Sequence, residues 1–258
     1  MLTYLERKLP SVYSFGKTRR HEWVAEQAST LPANAKILDV GAGPCRYRDL
    51  FNHCEYLSQD FASYKGSNMG DKLGSDFETW KYGKLDYICD ATNIPVADGE
   101  FDAILCTEVL EHVPEPVKVL EEFSRILKEG GVVLITAPLG SGLHQEPYHF
   151  YGGYTPHWYK HFLGNLGFGN LSIIANGGFF RNFGQESQRF ASLVNPFKTK
   201  GMNRIVLIPV WLLAVPLFRF VMPMLCHYLD RFDVHRGFTV GYHVTAVKLV
   251  TGKLDDRS

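Results

Sequence analysis

Five short apolar runs constrain this chain more than any other feature: KILDVGAG from Lys36, EYLSQD from Glu55, LDYICDA from Leu85, FDAILCTE from Phe101 and GGVVLITAP from Gly130. All but the fourth close near Gly, Asp or Pro. Helical stretches lie between them, an order that implies parallel strands with helical crossovers. The clearest helix begins near Pro116 and places Leu120, Phe123 and Leu127 on one face before Gly130 and Gly131 end it. Val132 to Ala137 then forms a buried strand. Thr155-Pro156 reads as an N-cap and first-turn proline for a helix to Leu166, closed by Gly167. Leu171 to Ala175 and Phe238 to Leu249 supply two further strands, the second alternating Val240, Tyr242, Val244 and Ala246. The expectation is a doubly wound, mostly parallel α/β sheet of seven strands.

The length, 258 residues, suits one large domain with an insertion and a core that needs no covalent staples. The division expected is a helical cap over 1–34, a core over 35–178, an apolar insertion or lid over 179–236, and a final strand and tail over 237–258. The 27 basic and 27 acidic residues create no global field toward nucleic acid, and no nucleic-acid partner is expected. Five cysteines without a C-x-x-C pair argue against a zinc knuckle or redox dithiol. The first twenty residues hold no continuous apolar stretch of the export-signal kind, so a cytoplasmic protein is expected.

Asp39-Val40-Gly41-Ala42-Gly43 falls at the carboxyl end of the first strand, where open α/β sheets place ligands. A dinucleotide fingerprint would need a third glycine at Arg46, which disfavours a nicotinamide cofactor. Asp60 ends the second strand, where a carboxylate can accept from both hydroxyls of a ribose. Asp90-Ala91 ends the third, in position for an adenine amine and its ring. The fourth runs into Thr107-Glu108-Val109-Leu110-Glu111-His112.

In this order ILDVGAGPCRY, Asp60, CDATNIP, FDAILCTEVLEHV and LKEGGVVLITAP resemble the successive motifs of class I methyltransferases, especially the bacterial type 11 group. The resemblance spans roughly residues 35 to 170 and implies the Rossmann-like methyltransferase fold and an S-adenosylmethionine site. The implied cofactor residues are Asp39, Gly41, Ala42, Gly43, Asp60, Phe61, Asp90, Ala91, Thr107 and Glu108. One departure is Cys45, where many members carry a third glycine.

Methyl transfer from a sulfonium mainly requires alignment, with a general base if the acceptor must lose a proton. His144, Glu146, Tyr148, His149 and Tyr154 crowd the segment after the fifth strand, and His149 is the expected base. Glu108, Glu111 and His112 on one helical turn, with His149, could instead ligate a divalent cation, a spacing similar to that of the small-RNA 2′-O-methyltransferases. The expectation is transfer without metal to a small-molecule, glycan or lipid-linked acceptor. A non-catalytic protein that binds the same cofactor and a metal-assisted O-methyltransferase are the alternatives. Finally, Ile205 to Cys226 is long and apolar enough to cross a membrane, but Pro209, Pro216, Pro223 and Arg219 interrupt it. The expectation is an insertion that leaves and returns on one side, either buried or in shallow contact with the inner face of the membrane.

Overall fold

The computed structural model describes residues 8–66, 80–198 and 203–250. The first seven residues of the expected cap and the tail beyond Val250 lie outside them. By its contacts the chain divides into two compact units. Among the described residues one takes in 21–66, 80–174 and 241–250, the other 8–20, 175–198 and 203–240. The helix α1, Phe15–Thr30, therefore belongs in part to each.

The first unit is built on a seven-stranded sheet, ordered β3-β2-β1-β4-β5-β7-β6. In chain order the strands are β1 Lys36–Val40, β2 Glu55–Asp60, β3 Tyr87–Ile88, β4 Phe101–Thr107, β5 Leu127–Pro138, β6 Phe168–Ala175 and β7 Gly241–Lys248. β1 pairs in parallel with β2 and β4, β2 with β3, and β4 with β5, whereas β7 runs antiparallel to β5. Central strands buried on both faces carry near-continuous apolar runs. Ile37, Leu38 and Val40 of β1 and Ala103 to Cys106 of β4 are accordingly inaccessible to solvent. Trp23, Val24 and Ala28 of α1 pack with Ile37, Phe51, Ala103 and Leu105 on one face.

Helix α2, Pro116–Ile126, opens on its proline and buries Val119, Leu120, Phe123 and Ile126. It stops at Leu127, already extended, rather than at the glycine pair expected to end it. Gly130 and Gly131 instead lie within the long strand β5. Pairing decides this, because Phe101 at the start of β4 pairs with Leu127. Helix α3, Pro156–Asn165, has the expected cap: Thr155 Oγ1 accepts from Trp158 N. Gly167 follows at φ +81°. β7 starts at Gly241, three residues later than its alternation suggested, and buries Tyr242, Val244 and Ala246 as expected.

The second unit contains a short helical turn at Pro10–Tyr13, helix α4 Phe179–Leu193 and helix α5 Asn203–Ala214. A π-helical segment, Val215–Val221, leads from α5 into helix α6, Met222–Leu229. Gly184, Ser187 and Ala191 form the buried face of α4. A Cβ at Gly184 would lie 3.1 Å from Cys226 Cβ and 3.4 Å from Pro223 Cα, so small residues let α4 and α6 approach closely.

Candidate active site

The strand order reverses between β1 and β4, and such a reversal opens a ligand crevice outside the carboxyl ends of the strands. Gly41 and Gly43 leave β1 there at φ +69° and +51°. A Cβ on Gly41 would sit 2.3 Å from Val109 Cγ2, and one on Gly43 would sit 2.9 Å from the Trp80 indole. Both backbone conformation and space therefore demand glycine. Ala42 between them is buried. Cys45, standing where the family often has glycine, itself adopts φ +54°. Room for its side chain comes from Gly83, whose Cβ would fall 2.6 Å from Cys45 Sγ.

Asp60 lies at the end of β2, 5% exposed. Its Oδ2 accepts from Gly43 N and its Oδ1 from Ala62 N, both at 2.9 Å. Burial raises its pKa, and the backbone donors of Ala62, Gly43 and Phe61 oppose that rise. An ionised carboxylate offers about four acceptor lobes, so the backbone donors do not exhaust its capacity to accept from a hydroxyl. Phe61 is exposed beside it, and its ring meets Tyr148 edge-on at 4.9 Å. Asp39 is 2% exposed and accepts from Tyr56 OH within the sheet. Burial lifts its pKa to about 7 against that hydrogen bond. Asp90 is exposed and closes a turn, with Oδ1 accepting from Thr92 N and Thr92 Oγ1 at 2.8 Å, while Ala91 is buried.

Thr107 ends β4, and Glu108 follows at φ +54°, a strained conformation for a side-chain-bearing residue. Glu108 N donates to Thr136 O, and Thr136 Oγ1 donates to Glu108 Oε1, which ties the residue to β5. Only Leu110–His112 forms a turn of 3-10 helix, so Glu108, Glu111 and His112 do not share the helical turn expected of them. The group whose ligating atoms do converge is Glu111, His112 and His144, all within 4.8 Å of one another. His112 Nδ1 faces Tyr148 O and His144 Nδ1 faces Gly142 O, an arrangement that directs each Nε2 away from the backbone. His112 Nε2 lies 3.8 Å from Glu111 Oε1.

His149 completes a histidine cluster, its ring centroid 4.7 Å from that of His144 and 5.8 Å from that of His112. His149 Nε2 is 3.1 Å from Ser141 Oγ, which also donates to Gly152 O at 3.0 Å. A hydroxyl has one proton. With that proton given to Gly152, His149 Nε2 donates to Ser141 and Nδ1 is the basic nitrogen. Burial, then the neighbouring His144, lowers the pKa of His149. The loop is fastened to the Leu110–His112 turn by Phe150 N and Tyr151 N, which donate to Glu111 O, and by Tyr154 OH, which donates to Leu110 O at 2.7 Å. His144 and His149 thus reach a histidine more than thirty positions away in sequence.

Two contributors escape sequence reasoning. Gln59 is 1% exposed; its Nε2 donates to Cys89 O at 2.6 Å and its Oε1 accepts from Gly41 N at 3.3 Å, joining the ends of three strands. Trp80 covers Gly43 and meets Tyr64 and Tyr82 edge-on at 5.4 and 5.9 Å. The dense aromatic run Trp80-Lys81-Tyr82 was the available signal.

Residues 38–135 match the family model described as a methyltransferase domain. That match begins within β1 and ends within β5. The chain is 32% identical to a demethylmenaquinone methyltransferase of Paenarthrobacter aurescens over 144 residues, 52% of this chain and 53% of that one. It is 31% identical to a ubiquinone biosynthesis O-methyltransferase of Pseudomonas aeruginosa over 126 residues, 45% of this chain and 49% of the other. The chain thus spans about half the length of these curated relatives. The likeness of fold covers more of the chain. A putative sarcosine dimethylglycine methyltransferase from Galdieria sulphuraria aligns with TM-score 0.53 and 18% identity over 90% of this chain and 85% of its own. The [4+2]-cyclase SpnF aligns with TM-score 0.52 and 19% identity over 90% and 80%. A cyclase on this fold illustrates that architecture alone does not name the reaction.

Proposed function

We propose that this chain transfers a methyl group from S-adenosylmethionine to a small-molecule, glycan or lipid-linked acceptor. The observation that carries the reading is the pairing of Asp60 with the glycine loop: a buried carboxylate holding Gly43 N while keeping acceptor capacity, beside a backbone stripped of Cβ atoms. Gly41 and Gly43 let a ligand approach the main chain, and Asp60 accepts from the hydroxyls of its ribose. When bound, S-adenosylmethionine supplies an electrophilic methyl on a sulfonium. The chain's part is to orient the acceptor, exclude water and take up a proton where the acceptor has one to lose. His149 suits that last task. Its lowered pKa keeps it neutral at pH 7, with Nδ1 as the accepting atom.

Calorimetry with S-adenosylhomocysteine tests the binding. Asp60→Ala should weaken it by about 1.5 to 3 kcal/mol, roughly ten- to a hundredfold, with the circular dichroism unchanged. No binding by the natural sequence would sink the reading. Transfer of a labelled methyl group to any acceptor separates an enzyme from a non-catalytic binder of the same cofactor.

The convergence of Glu111, His112 and His144 favours a second reading, in which a divalent cation assists an O-methyl transfer. Both histidines meet a main-chain carbonyl through Nδ1, a habit of metal-ligating imidazoles. Activity that survives saturating EDTA keeps the metal-free reading. Activity lost to EDTA, restored by one cation and abolished in His144→Ala, selects the metal-assisted one.

A further inference from the structure

One helical stretch among the described residues, Ile205–Phe232, is long and apolar enough to cross a membrane, yet only 6% of its most apolar window is buried. Leu212 and Leu213 are 58% and 77% exposed. On α4, Phe179, Phe183, Phe190 and Leu193 are also exposed, with a spacing that puts them on one helical face. An apolar surface of this extent on a folded unit marks an interaction site.

Two features decide its occupant. The first is that the segment returns to where it began. Gly178 N and Arg181 N donate to Asp230 Oδ1 at 3.0 Å, and Phe179 N donates to Asp233 Oδ2 at 2.6 Å. The start of α4 is thereby held to the end of α6, which excludes a single crossing. A two-pass hairpin fails as well, because α4 carries Arg181, Gln185, Glu186, Gln188 and Arg189. The π-helical segment is secured from within the unit. Met222 N donates to Leu217 O, so the matching donor for Phe218 O would be Pro223, which has no N–H. Ser187 Oγ lies 2.9 Å from Phe218 O and 2.7 Å from Gly184 O, so its one proton serves the two carbonyls between them.

The second feature is charge. The described residues of this unit, 8–20, 175–198 and 203–240, carry eleven Lys and Arg against three Asp and Glu, although the whole chain is balanced. Two of those three acids, Asp230 and Asp233, are engaged with the main chain at the start of α4. A second copy of so basic a unit would be repelled. A surface that is apolar within and anionic at its rim is complementary to it.

We propose that the α4–α6 unit docks in the plane of an anionic lipid bilayer, with α5 and the π-helical segment seated at the headgroup boundary and no residue crossing to the far side. This surface is argued independently of methyl transfer and of the cofactor site.

Vesicle co-sedimentation of the full chain provides the test, with phosphatidylglycerol–phosphatidylcholine vesicles against phosphatidylcholine alone at about 0.15 M salt. The chain should sediment with the anionic vesicles, bind the neutral ones on the order of tenfold more weakly, and come off as salt is raised. Leu212→Asp with Leu213→Asp should lower vesicle affinity by about tenfold or more. Their side chains are exposed, so thermal unfolding and S-adenosylhomocysteine binding should stay at the level of the natural sequence. Absence of vesicle binding would overturn the proposal, as would equal affinity for both vesicle types. A lipid-free dimer broken by the double substitution would reassign the surface to a second copy. Labelling of the segment's two ends from opposite sides of a sealed membrane would replace docking with a span.

Discussion

Asp39 offers the sharpest test of the site's electrostatics. It is 2% exposed at the end of β1, its pKa is lifted from 3.8 to about 7, and the cause is burial, only partly offset by the Tyr56 hydroxyl. Between those two values the unfolded chain has released this proton while the folded chain still holds it. Stability therefore falls as pH rises, by about 1.4 kcal/mol per unit. The contribution is fully present below pH 3.8, is lost through about pH 7, and amounts to about 4 kcal/mol in all. Asp39→Asn keeps the shape and an acceptor for Tyr56 but cannot ionise. The stability of the natural protein relative to Asp39→Asn should thus decline by roughly that amount between pH 4 and pH 7.5 and level off above. Urea titrations at a series of pH values, followed by Trp23 and Trp158 fluorescence at constant m-value, measure the difference. Tyr56→Phe should move the midpoint of the decline to higher pH, since it removes the donor that favours the ionised form. A difference that stays flat across this range would mean that Asp39 titrates normally, and the argument from burial would fail.

Two further predictions concern local structure. Gly41→Ala should cost roughly 2 to 5 kcal/mol, combining a left-handed residue with a Cβ driven into Val109, and Gly41→Ala with Val109→Ala should recover the steric part alone; denaturation midpoints of the three variants check this. Thr155→Ala should remove the α3 cap for about 1 kcal/mol, a fall of roughly 2 to 4 °C in Tm by calorimetry, with Thr155→Ser retaining most of it.

The parts legible from sequence are those set by neighbouring residues. Strand ends, the glycine loop, the Thr155 cap and the α2 face depend on local conformation and on periodicity, so Gly41, Gly43 and Asp60 could be placed on their strands from the sequence. Cys45 marks the border. Its departure from glycine was visible in the sequence, but its left-handed φ and the space left by Gly83 became evident only once the two segments met.

Everything that depends on which distant segments touch was left to the tertiary structure. Pairing of Phe101 with Leu127 ended α2 early, and the loop after β5, fastened to the Leu110–His112 turn, brought His144 rather than Glu108 to Glu111 and His112. The apolar run from Ile205 carried the same hydropathy whether buried, spanning or docked. Against burial stands the exposure of the helix, and against a single crossing the bonding of Gly178, Phe179 and Arg181 to Asp230 and Asp233. Hydropathy records what a segment prefers to leave, which is water; only the folded chain supplies the surface, or leaves the vacancy, that answers it.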